Sequence, residues 1–192
     1  MAGMETRLAR VPRAVSLGSV TADGATILGD IFSPGTNDDL WLFATAPNAA
    51  PTVFLQTPFN ESAPSLSPNG QWVAFTSDES GASEIYVTTF PKAGRRYRVS
   101  SDLGTSARWN ADGKEILYRS RLRMMAAAFS ASADGAPTIG SPRVLFTLPE
   151  GTADSWIVAD NGQKFLFNLR GTARQPSPMT MVVNWPAMAG AK

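Results

Sequence analysis

The chain has 192 residues, with 17 basic and 16 acidic side chains and neither histidine nor cysteine. The even balance lacks the basic excess of a nucleic-acid binder, and the two missing residue types exclude disulfides, thiolate and imidazole metal sites, cysteine nucleophiles and Ser-His-Asp catalysis. A hydrophobic fraction of 43% supports a real core,, while no apolar run approaches the roughly 18–20 residues of a membrane span.

The opening, MAGMETRLARVPRAVS, carries arginines but no apolar stretch of a secretory signal,. A short strand, SLGSV, then leads to Asp23-Gly24 and the apolar run ATILGDI from Ala25. The runs DLWLFAT from Asp39 and TVFLQT from Thr52 follow. The same phrase then returns. APSLS leads to Asn69-Gly70, QWVAFTS, SEIYVTTF and RYRVS; SARWN leads to Asp112-Gly113, KEILYRS, LRMMAAAF and RVLFTL; SWIVA leads to Asn161-Gly162, QKFLFNL and PMTMVVNW. The four dyad glycines are spaced by 46, 43 and 49 residues. Asn-Gly and Asp-Gly are preferred hairpin turns, with positive φ expected at both central positions. Four dyads at a near-constant period, each followed by an apolar run, mark an internal repeat. Each repeat reads as a meander of four strands, a to d, with the dyad between a and b. LRMMAAAF has helical propensity, but its place in the repeat makes it a c strand.

The b strands show how the repeats pack. Trp72 and Ala74 oppose Val73 and Phe75; Ile116 and Tyr118 oppose Leu117; Phe165 and Phe167 oppose Leu166. Both faces are apolar, so both are expected to be buried. A two-layer sandwich leaves one face of each sheet wet, whereas small sheets stacked about an axis bury both. The expected fold is all-β, a β-propeller of four four-stranded antiparallel blades.

The stretch Leu66-Ser67-Pro68-Asn69-Gly70-Gln71-Trp72-Val73-Ala74-Phe75 resembles the FSPDGRWIAY phrase of TolB-like, PD40-type propeller repeats. FLQTPFNESAPSLSPNGQWVAFTSDESGASEIYVTTF, from Phe54 to Phe90, is similar to propellers in the C-terminal part of bacterial membrane-anchored serine/threonine kinases, as is the ending DNGQKFLFNL with SPMTMVVNWPA. The resemblance covers about residues 16–187 and implies an extracytoplasmic sensing or docking role in a bacterium. Only the second repeat keeps Ser-Pro before its dyad, and it has Asn69 where the family has aspartate. The Gly-His and Trp-Asp signature of WD40 repeats is absent, as are the kinase motifs,.

The expected organisation is an N-terminal segment, 1–15, a propeller over 16–187 with repeats at about 16–59, 60–103, 104–151 and 152–187, and a tail, 188–192. The fourth repeat lacks a d strand, and METRLARVPRA ahead of the first could supply it and close the ring. Otherwise the unit is half of a larger ring, a homodimer of half-rings.

In a propeller the d–a connections and b–c loops share one rim, where partners usually bind. That rim would carry Asn60, Glu61, Asp78, Glu79, Arg121 and Arg170. Glu61 with Asp78 or Glu79 is the candidate carboxylate pair for a glycosidase. Neither Gly-x-Ser-x-Gly nor Ser-x-x-Lys occurs to support an esterase,. Asp38 and Asp39 are the candidate oxygen ligands for a cation. Trp41, Trp72, Trp109, Trp156 and Trp185 read as packing residues,. The expectation is a binding or scaffold module for a protein, peptide or small polar ligand, with no cofactor, no nucleic-acid partner and no membrane insertion by this chain. A hydrolase using rim carboxylates is the alternative.

Overall fold

The computed structural model describes residues 13–132 and 136–169, together with the backbone of 179–183. Four antiparallel sheets follow one another along the chain. The first holds β1 (Val15–Val20), β2 (Thr26–Ser33), β3 (Asn37–Ala44) and β4 (Thr52–Leu55). The second holds β5 (Glu61–Leu66), β6 (Trp72–Ser77), β7 (Glu84–Thr89) and β8 (Tyr97–Arg98). In the third, β9 (Thr105–Trp109), β10 (Glu115–Ser120) and β11 (Arg123–Ser130) are joined by β12 (Thr138–Ile139) and β13 (Arg143–Thr147), which share the outer edge of β11. The fourth contains β14 (Thr152–Ala159), β15 (Lys164–Leu169) and β16 (Met179–Val183). The first, second and fourth sheets are meanders in chain order, and the third departs from one only where β12 and β13 both pair with β11. The Met- and Ala-rich run is a strand. Its unbroken register with β10, from Glu115↔Ala128 to Ser120↔Arg123, outweighs local helical preference,.

The a–b turns explain the repeated phrase, with one departure from expectation. In the first three, the glycine alone takes positive φ: Gly24 at 69°, Gly70 at 67° and Gly113 at 70°. Each is a four-residue turn, closed by amides at Thr21, Ser67 and Asn110 that donate to Thr26, Trp72 and Glu115. The preceding Asp or Asn is present for its side chain, which accepts the backbone N–H two residues on: Asp23 from Ala25 at 2.9 Å, Asn69 from Gln71 at 3.1 Å, Asp112 from Lys114 at 2.9 Å,. The Ser67 hydroxyl adds a bond from the Trp72 amide at 2.9 Å. Only in the fourth turn do both dyad residues, Asn161 and Gly162, have positive φ.

Both faces of the central blades are buried. In β6, Val73 and Phe75 meet Leu28, Leu40, Phe54 and Leu55 of the first sheet. Trp72 and Ala74 meet Ala107, Trp109, Ile116, Tyr118 and Phe129 of the third. Along β10 the alternation recurs, with Leu117 turned to Trp156, Phe165 and Phe167 of the fourth sheet. Each fully buried large apolar side chain contributes about 1.5–3 kcal/mol, so these three interfaces carry the fold. Among the described residues, extensive packing runs between successive sheets, first on second, second on third and third on fourth. The outward face of the first sheet exposes Leu17 (70%), Val20 (56%) and Val53 (45%), and that of the fourth exposes Ile157 (58%). The closing segment expected within residues 1–15 lies outside the described residues up to position 12, and Val15 already belongs to β1.

Polar bonds fasten each joint. The Leu66 amide donates to Ser19 Oγ at 2.9 Å, and the Ala63 amide to Asp30 Oδ1 at 3.0 Å, between the first and second blades. Trp109 Nε1 reaches the Ser65 carbonyl at 2.9 Å between the second and third. The Asp112 amide reaches Asn161 Oδ1 at 3.1 Å between the third and fourth.

Candidate functional site

A meander brings its d–a links and b–c loops to one edge, so Asp38, Asp39, Asn60, Glu61, Asp78 and Glu79 all come to the joint between the first two blades. Asn60 is the clasp. Its Oδ1 accepts from the Asp38 amide at 3.1 Å, and its own amide donates to Asp78 Oδ1 at 2.9 Å. One residue, through its side-chain oxygen and its backbone N–H, thus ties the start of β3 and the b–c loop of the second blade to the chain that links the two blades.

Two carboxylates lie fully buried beneath this clasp, Asp39 and Glu61. Asp39 Oδ2 accepts from Thr36 Oγ1 and Gln56 Nε2, both at 2.8 Å. Glu61 Oε1 accepts from the Thr57 hydroxyl. Asp39 Oδ1 and Glu61 Oε2 have no hydrogen-bond partner. Burial pushes the Glu61 carboxyl above the ordinary range; the Thr57 bonds oppose the rise, and the Asp39 charge adds to it,. Glu79 is held apart by an ion pair with Arg96 Nε at 2.7 Å.

This geometry limits the chemistry. Glu61, Asp78 and Glu79 enter three separate bonding arrangements: Glu61 with Thr57, Asp78 with Asn60, and Glu79 with Arg96. A general acid must reach the proton it transfers, and Glu61 has no exposed surface. Asp38 and Asp39 are adjacent in β3, so they project to opposite faces of the sheet,. Among the described residues, no three acidic side chains gather as a metal site.

Farther along the rim, Arg121 is exposed in the tight turn between β10 and β11, with φ at 52°, and its carbonyl accepts from Arg119 Nε at 2.7 Å. Arg119 also pairs with Asp154 at 3.0 Å. Arg170 and Trp185 lie outside the described residues. The neutral residues Thr36, Gln56, Thr57 and Asn60 do much of the rim's bonding, and of these only Asn60 stands out in the sequence.

The described cavity lies at the other end of the axis, beside the a–b turns. It measures about 260 Å³ and opens between the three innermost strands β5, β9 and β14, lined by Ser65, Leu66, Pro68, Arg108, Trp109, Ile157 and Val158. Arg108 is its one charged residue. The guanidinium donates to the Ala107 carbonyl at 2.8 Å and lies 6.0 Å from the centre of the Trp156 ring. Desolvation lowers its pKa from the ordinary arginine value.

No family model matches the chain, and no curated relative matches it. Solved structures do. TolB from Acinetobacter baumannii superposes with a TM-score of 0.60 at 17% identity, over 90% of this chain and 41% of its own. A putative TolB from Agrobacterium tumefaciens gives 0.65 at 14% identity, over 90% of this chain and 61% of its own. An oligogalacturonate lyase in complex with manganese gives 0.58 at 15% identity, over 94% and 54%. The chain therefore has a propeller fold and spans about two to three fifths of the length of these structures. At such identities the likeness is one of fold, and the fold is shared by a lyase as well as by TolB.

Proposed function

We propose that this chain is a non-catalytic binding and scaffold propeller that presents its rim to a protein or peptide. The observation that carries the reading is the use to which the rim carboxylates are put. Asp39, Asp78 and Glu79 each hold separate segments together, and Glu61 is buried and bonded to Thr57 within the link between the first two blades. Groups so engaged stiffen a surface rather than turn over a substrate, and a stiff, polar, loop-rich rim on a rigid scaffold suits recognition. The likeness to TolB supports an extracytoplasmic setting, and the repeat phrases support kinship with TolB-like, PD40-type propellers, including those attached to membrane-anchored kinases. The exposed apolar faces of the first and fourth sheets support a further element of the proposal, that two copies join as half-rings,.

The second reading, a hydrolase, draws on the raised Glu61 carboxyl,. A panel of ester, glycoside and phosphoester substrates separates the two. A clean blank agrees with binding. Turnover lost on Glu61→Gln or Asp78→Asn, with the fold intact, would favour the enzyme.

A further inference from the structure

Four of the other described arginines pair with carboxylates: Arg96 with Glu79, Arg119 with Asp154, Arg123 with Asp102 and Arg143 with Glu115. Arg108 has none among the described residues. It is half-buried in the axial cavity, where an unpaired charge is costly to hold,. Two contacts fix it there, the Ala107 carbonyl at one guanidinium nitrogen and the face of Trp156,. A guanidinium has five N–H donors, so most of the fork remains uncommitted. Apart from Arg108 and Ser65, the cavity is lined by Leu66, Pro68, Trp109, Ile157 and Val158. The Trp109 N–H is already spent on the Ser65 carbonyl.

We propose that this cavity binds a monoanionic carboxylate carried on a short apolar group, with the Arg108 guanidinium as its counter-charge. The planar fork matches the two oxygens of a carboxylate. The lining offers a single positive charge, which suits a monoanion and leaves a phosphate dianion under-neutralised. The volume of about 260 Å³ equals that of roughly eight or nine liquid waters,. That accommodates a carboxylate with a branched aliphatic or single aromatic group. The chemistry has two sources, a free acid or the C-terminus of a peptide ending in an apolar residue. The site lies at the turn end of the axis, away from the Asn60 clasp, and stands independently of the rim's role.

The test is a titration of the full chain with 4-methylpentanoate and phenylacetate, each against its primary amide. Tryptophan fluorescence reports on Trp109 and Trp156, and calorimetry runs in parallel. A second arm uses a tetrapeptide ending in leucine, with free or amidated C-terminus. The acids, the free peptide or both should bind saturably, and the amides at least about tenfold more weakly, as expected for a charge-assisted hydrogen bond. Which arm binds identifies the source. Arg108→Met and Arg108→Gln should each lose at least about tenfold in affinity. Both should unfold no earlier than the parent chain in the absence of ligand, because a desolvated, unpaired charge is gone. Equal binding of acid and amide would overturn the proposal. So would undiminished binding by a folded Arg108 variant, or no saturation in either arm up to about 10 mM.

Discussion

Trp109 donates its indole N–H to the backbone carbonyl of Ser65 at 2.9 Å, from the innermost strand of one blade to that of the next. Its ring meets Phe129 edge-on at 4.8 Å within the core those blades share. The residue thus packs and fastens the same joint. Trp109→Phe keeps most of the bulk and leaves the Ser65 carbonyl without its donor, at an expected cost of about 1–3 kcal/mol. Trp109→Ala also opens a cavity, for about 3–5 kcal/mol. Urea unfolding should give the two costs in that order.

The joint between the first two blades rests on small residues. A Cβ on Gly18 would collide with the Pro64 carbonyl and come within 2.9 Å of Pro64 Cγ. Beside it, Ser19 Oγ accepts from the Leu66 amide and donates to the Pro64 carbonyl at 3.3 Å. Gly18→Ala should destabilise by about 1–3 kcal/mol through overpacking, and Ser19→Ala by about 1–2 kcal/mol through lost hydrogen bonds. Thermal unfolding checks both, and a Gly18→Ala chain as stable as the parent would contradict the close approach.

Glu61 makes a prediction about pH. Its carboxyl is raised in the folded chain, chiefly by burial, so the native state holds a proton that the unfolded state releases. Stability from this group is therefore greatest below the ordinary glutamate pKa of about 4.3 and declines as pH rises toward the native value. Glu61→Gln keeps an acceptor for Thr57 and removes the titration. The gap in urea midpoint between variant and parent should shift in favour of the variant between about pH 4 and about pH 8. A constant gap would contradict the buried titration.

Assembly is read by size. Light scattering should report about twice the 20.5 kDa chain mass, with a shift toward monomer when Leu17 and Val53 are both replaced by glutamate. A concentration-independent monomer would overturn the half-ring arrangement.

The architecture was legible because it repeats. The dyads, the alternation in Trp72–Ser77 and the period led to four sheets and to the partners of each face. The turn geometry was less legible, because Asp23, Asn69 and Asp112 act through their side chains, whereas the dyad reading assigned them a backbone role. The rim's charged residues could be placed at one edge from topology alone. Their separation into buried, clasped and ion-paired groups depended on Thr36, Gln56 and Thr57, whose roles no spacing reveals. Arg108 was invisible in the sequence for a similar reason. An arginine within an inner strand is marked out only by the carboxylate missing around it, and that is a fact of three dimensions.

The most direct test of the account compares turnover and folding in the same proteins, the parent chain and its Glu61→Gln, Asp78→Asn and Glu79→Gln variants. The account predicts no turnover of ester, glycoside or phosphoester substrates by any of them, together with altered unfolding midpoints in the variants. Turnover by the parent that vanishes in Glu61→Gln, with the unfolding curve unmoved, would show that the buried carboxylate performs chemistry and would contradict the structural role assigned to it.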